Sequence, residues 1–222
     1  MSDETLAETA LAELAREETA APAVHTWRWV FSGAAVAAFG AASATTHASV
    51  PFASFIDFGV HEFGHLVFAW APWMVTAAAG SIFQVVVPLG FAAYFAFARK
   101  EYWAAAPLMA WAGNSARNVA VYIADAPYQY LDLWGGEGTL HDWAQLLQGR
   151  PMQSAEEIAW AVNALGWALI AGGLALVAWA AWAERRAVRD AEEAAAHAAA
   201  HEAELEARRA TLPVREKHGP IG

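Results

Sequence analysis

The sequence predicts an all-α fold, a polytopic transmembrane helix bundle with an embedded helix that carries a His-Glu-x-x-His motif. Three observations predict it. Hydrophobic residues make up 58% of the 222, with 12 Trp among them, and the mean hydropathy is positive at +0.26. That composition departs from the one typical of a soluble globule. Apolar runs of about 20 residues, the length that crosses a bilayer, recur along the chain. Only 16% of residues are charged, and most of those fall in the two ends.

Each element follows from local pattern. Residues 3–20 are rich in Ala and Glu without a strong apolar face, and are expected as a short helix or frayed tail ended by Pro22. With Asp3, Glu4 and Glu8, this end lacks the basic stretch of a cleaved signal peptide, so the first hydrophobic segment is expected to stay as an anchor. That segment, a first crossing over residues 27–46, carries Trp27 and Trp29 where an interfacial belt would place them. Pro51 opens a second apolar helix, which holds the motif and is broken at Pro72. A third segment over 81–98 contains Pro88 and Gly90, which bend a membrane helix without excluding it, and Arg99-Lys100-Glu101 closes it. A fourth runs over 102–125, followed by a polar connection over 126–156 that includes Gly135, Gly136 and Gly138. The last crossing covers 158–183. An Ala-rich helix dense in Glu and Arg continues to about residue 210, before a Pro/Gly-containing end. Three regions result: an acidic N-terminal tail over 1–24, a membrane domain over 25–183, and a charged C-terminal helix and tail over 184–222.

Charge placement selects among topologies. If all five apolar segments crossed, Arg28 would face one side while Arg99-Lys100 and Glu184-Arg185-Arg186 faced the other, against the positive-inside rule. If the helix around 52–71 enters and returns, or lies embedded without crossing, then Arg28, Arg99, Lys100, Arg185, Arg186 and Arg189 all fall on the cytoplasmic side, with both tails. Four crossings and one embedded helix are therefore expected. The net charge of −10 argues against nucleic acid as a partner. The absence of Cys excludes disulfides and thiolate metal sites.

The chemistry-bearing residues are His61-Glu62-Phe63-Gly64-His65. On a helix, the i, i+4 spacing puts two imidazoles on one face, one turn apart, suited to hold a single zinc. Glu62 is then placed as general base toward a metal-bound water. Ionisable residues are costly in an apolar segment, which makes them functional candidates. A catalytic zinc takes three protein ligands. The candidates for the third are Asp125, Asp132, His141 and Asp142, with His141 placed slightly ahead of Asp125 and Asp132 well behind. His141 has the adjacent Asp142 as an orienting carboxylate. Asp125 ends a polar stripe of Asn114, Arg117 and Asn118 on one helix face. Asp57, four residues before His61, is placed to orient it or line an entrance. Plainer readings stand beside these. The histidines could bond between helices without metal, which leaves Glu62 unexplained. Arg117 and Asp125 could be a structural ion pair, and His141-Asp142 a helix start in a surface loop. His197 and His201 share the four-residue spacing but sit in a charged helix, and read as solvated.

The segment Phe58-Gly59-Val60-His61-Glu62-Phe63-Gly64-His65-Leu66 resembles the membrane-embedded zinc metalloproteases of the site-2 protease type. Only His61, Glu62 and His65 match by position. In place of that family's Leu-Asp-Gly ligand motif stands Leu131-Asp132-Leu133. The chain also resembles a group of small bacterial multipass proteins. It shares with them Gly80-Ser81-Ile82-Phe83-Gln84, Tyr122-Ile123-Ala124-Asp125 and His141-Asp142-Trp143. The resemblance implies a zinc metallopeptidase-like site in a bacterial cytoplasmic membrane, with lipids as surroundings and a membrane-protein or peptide substrate. The rival expectations are a membrane metal-binding or transport protein without hydrolysis, and a di-iron oxygenase, for which too few histidines are at hand.

Overall fold

The structure, a computed structural model, describes residues 24–45, 48, 50–133, 136 and 139–211, and every regular element among them is helical. The expected helix over 3–20 and the chain end past 211 lie outside the described residues. By its internal contacts the chain divides into His25–Ala181 and a second unit whose described part is residues 24 and 182–211.

Among the described residues there are six α-helices: α1 (Thr26–Ser43), α2 (Pro51–Val67), α3 (Trp73–Ala93), α4 (Tyr102–Asp125), α5 (Asp142–Leu146) and α6 (Met152–Thr211). Pro51 opens α2 at its first turn, where the missing N–H costs nothing. Helix α3 runs on as π-helix over Tyr94–Arg99 and stops at Lys100, whose φ of 57° is left-handed. Two starts differ from the sequence expectation. Helix α3 begins at Trp73, directly after Pro72, rather than near 81; the run Ala77, Ala78, Ala79 and Gly80 has little hydrophobic signal but allows close packing. Helix α6 begins at Met152, after Pro151, because Glu156 and Glu157 interrupt the apolar pattern without breaking the helix. Trp73–Arg99 and a window of α6 are long and apolar enough to cross a membrane, with mean hydropathies of 1.8 and 1.9.

Small residues set the helix spacing within His25–Ala181. A β-carbon at Gly113 would meet the Gly166 carbonyl oxygen at 2.6 Å, and one at Gly173 the Ala106 carbonyl oxygen at 2.9 Å, so α4 and α6 pack almost backbone to backbone. Val36, Ala106, Ala110 and Val177 form one buried cluster, and Val119, Ile123 and Ala159 another. Polar groups share this interior: Ser32, Ser43, Asp57, Ser81, Gln84, Asn114 and Ser115 are buried, while Phe52, Leu66, Trp70, Phe97 and Trp160 are exposed. Ser32 Oγ has no hydrogen-bond partner among the described residues, whereas Asn114 and Arg117 show how others are satisfied. Asn114 Nδ2 donates to Ser43 Oγ (2.8 Å) and to the Ala48 carbonyl (3.1 Å). Arg117 donates through Nε and Nη2 to the Ser43 carbonyl at 3.2 and 2.8 Å, satisfying the C-terminal end of α1, and its guanidinium lies 5.1 Å from the Trp167 ring. In the second unit, Arg186–Asp190 and Arg208–Glu204 are exposed i, i+4 pairs, and His197 and His201 are exposed.

Candidate metal centre

Helix α2 carries His61 and His65 on the face that packs against α3. The two helices approach closely because Gly64 has no side chain: a β-carbon there would lie 2.5 Å from the Ala79 carbonyl oxygen. Each imidazole is oriented from α3 through its Nδ1. His65 Nδ1 lies 2.7 Å from the Thr76 carbonyl oxygen, and His61 Nδ1 lies 3.3 Å from Gln84 Oε1. Both partners are acceptors, so both Nδ1 atoms carry the proton and both Nε2 atoms present lone pairs. Gln84 is itself held, donating through Nε2 to Asn118 Oδ1 at 3.1 Å.

Those lone pairs face the Asp142 carboxylate. Its Oδ2 lies 3.1 Å from His61 Nε2 and 3.4 Å from His65 Nε2, and ligand atoms of the three residues lie within 4.8 Å of one another. Zinc bonds of ~2.0–2.2 Å in tetrahedral geometry place neighbouring ligand atoms about 3.3–3.6 Å apart, close to the observed spacing. Three acceptors facing one another repel unless a cation or added protons lie between them. Room is left by Gly80, where a β-carbon would sit 2.6 Å from Nε2 of both histidines. The donor set and the open cradle fit a zinc ion.

Asp142 opens α5, and α5 is fixed on both sides. Trp143 Nε1 donates to the buried Ser81 Oγ at 3.0 Å, and the indole packs beside Val119, Ile123 and Ala159. The Tyr122 hydroxyl accepts from the Asp142 N–H at 3.0 Å and donates to its Oδ2 at 3.4 Å. His141, the residue before, caps α5 by accepting from the Ala144 N–H at 3.3 Å through Nδ1, so its proton sits on Nε2. That Nε2 lies 3.5 Å from Asp125 Oδ2, and the ring stacks on Tyr122 at 4.1 Å. Burial pushes the His141 imidazole below its ordinary range, toward the neutral form.

The expected residues thus divide into groups. His61 and His65 converge with Asp142, one of the four candidate third ligands, which the sequence favours as an orienting neighbour of His141. His141 and Asp125, expected as rivals for the third ligand, contact each other, and Asp125 also accepts from the N–H groups of Tyr130 and Leu131 at 3.0 and 3.1 Å. Glu62, exposed, lines a cavity of about 540 Å³ together with His61, His65, Asp142, Asn118 and Asp132. Asp57 lines it too, 4% exposed, accepting from Trp111 Nε1 at 2.9 Å and Ser115 Oγ at 3.0 Å; the group beside His61 Nδ1 is Gln84 instead. Asn114 and Arg117 serve the end of α1 and do not line the cavity. The sequence assigns no role to Thr76, Gly80, Gln84 or Tyr122, although the last three lie in the strings shared with the small multipass proteins. A glutamine and a glycine in an otherwise apolar segment were the available signals for two of them; Thr76 acts through its backbone and leaves none. Comparison with protein-family models, with curated proteins and with solved structures returns no match.

Proposed function

We propose that this chain is a membrane-embedded zinc hydrolase, a metallopeptidase acting on membrane-associated peptide, with His61, His65 and Asp142 as ligands and Glu62 as general base. The observation that carries the reading is the pair of Nδ1 tethers, which turns both Nε2 lone pairs onto one carboxylate oxygen beside a glycine gap. Zinc, when bound there, polarises a carbonyl and brings water near a pKa of about 7. The chain's own groups do the rest. Glu62 takes the proton from the attacking water and returns it to the leaving amine, a role for which its place on the cavity wall suits it. Gln84 and the Thr76 carbonyl fix the imidazole tautomers, and Tyr122 holds Asp142 in place. The resemblance to site-2-type proteases supports only the roles of His61, Glu62 and His65.

The membrane setting is supported by the inverted distribution of polarity, with Asp57, Gln84 and Asn114 inside and Phe52, Leu66, Trp70 and Phe97 outside. Small-residue contacts between α4 and α6 point the same way. On this reading α1, α3, α4 and the first part of α6 cross a bacterial cytoplasmic membrane, α2 is embedded, and both tails are cytoplasmic.

Glu62→Gln tests the enzyme reading. It should retain zinc and lose turnover of a labelled peptide substrate by a factor of about 10² to 10⁴. Unchanged turnover would sink the general-base role, and a zinc-loaded wild type that turns over no peptide would favour the metal-binding or transport alternative instead.

A further inference from the structure

A second cavity lies against the same three-residue cluster. It has a volume of about 390 Å³, and its walls include Ala69, Ala71, Trp73 and Ala77. His65 and Asp142 line both this cavity and the larger one that contains Glu62. Two of the three cluster residues therefore border both spaces. A passage for water needs only about 30 Å³ per molecule, while binding sites for organic ligands span about 300–1,000 Å³. The second cavity belongs with the latter.

Resting on the metallopeptidase reading, we infer that the second cavity is a substrate subsite, and that the substrate is an extended polypeptide segment without acidic side chains, lying across the cluster with residues in both cavities. Three features argue for it. A scissile amide carries chain on both sides of its carbonyl, and an enzyme trimming single terminal residues would have a closed wall on one side of the cluster. The alanines leave room for side chains, and Trp73 offers them an apolar surface, as Phe58 and Leu140 do in the larger cavity. Among the described residues neither cavity is lined by Lys or Arg, while Asp57, Glu62, Asp132 and Asp142 contribute carboxylates, so these walls disfavour an anionic group.

The test compares two metal-directed probes on the zinc-loaded full chain in mild detergent. Acetohydroxamate reaches only the metal; a phosphinic pseudo-tetrapeptide with two apolar residues on each side of the phosphinate reaches both cavities. Ala69→Trp obstructs the second cavity from an exposed position, Ala71→Phe is an independent obstruction, and Thr139→Trp obstructs the larger cavity. Each variant that retains zinc should bind acetohydroxamate as the wild type does, and should bind the pseudo-tetrapeptide at least about tenfold more weakly. If Ala69→Trp and Ala71→Phe both bind the pseudo-tetrapeptide with wild-type affinity while Thr139→Trp weakens it, the substrate is confined to the larger cavity and the inference is overturned. If the zinc-loaded wild type binds neither probe, the metallopeptidase reading falls and takes this inference with it.

Discussion

Each imidazole at the centre has one nitrogen already committed. Because the Thr76 carbonyl can only accept, His65 must donate from Nδ1, and its other nitrogen is left as a lone pair facing Asp142. The neighbouring His141 has the opposite tautomer, with Nδ1 accepting from the Ala144 N–H and Nε2 turned to Asp125. Adjacent residues therefore face different partners, and substitutions separate them. Asp142→Ala should lower zinc occupancy severely, whereas His141→Ala and Asp125→Ala should retain the metal, read by elemental analysis of purified protein. Retention in Asp142→Ala with loss in His141→Ala would restore the ligand set expected from sequence. The sequence displayed His61, Glu62 and His65 because their chemistry needs a fixed local spacing on one helix. It could not rank Asp142 over His141, since which of two adjacent side chains faces α2 depends on how α5 docks. That docking is set by Trp143 on Ser81, a contact across 62 positions of sequence.

The crossing of α2 and α3 explains two glycines that have no chemistry of their own. Gly64 admits the Ala79 carbonyl, and Gly80 leaves the gap beside both Nε2 atoms. Helix propensity alone favours Gly80→Ala by roughly 0.5–1 kcal/mol. A methyl 2.6 Å from two rings that are each tethered at Nδ1 cannot be accommodated by a simple rotation, so the steric effect wins. Gly80→Ala should keep helical circular dichroism and lose zinc; full occupancy would show that the gap is not the metal's place. Element bounds were legible where polar punctuation is sharp, as for α4 between Glu101 and Ala126. They were missed at the start of α3, where small residues mute the hydrophobic signal although they are what the crossing requires.

For the chain as a whole, helix content and the presence of long apolar helices were legible from composition and run length. The packing of polar residues inward was not, because it depends on which face each helix turns to its neighbours. The proposed topology rests on where Arg28, Arg99, Lys100 and Arg185 fall. Reporters fused at residues 20, 100 and 190 should lie on one side of the membrane, and one at residue 140 on the other. Residues 100 and 190 found external with residue 20 cytoplasmic would mean that α2 crosses.

The zinc content of the purified full chain bears most directly on the centre itself. The wild type should hold close to one zinc per chain, since two imidazoles with fixed tautomers and a carboxylate form a complete three-ligand set. His61→Ala and His65→Ala should each lose it. A wild type free of zinc after loading, or both variants retaining it in full, would contradict the assignment and leave His61, His65 and Asp142 as a protonated hydrogen-bonding cluster between helices.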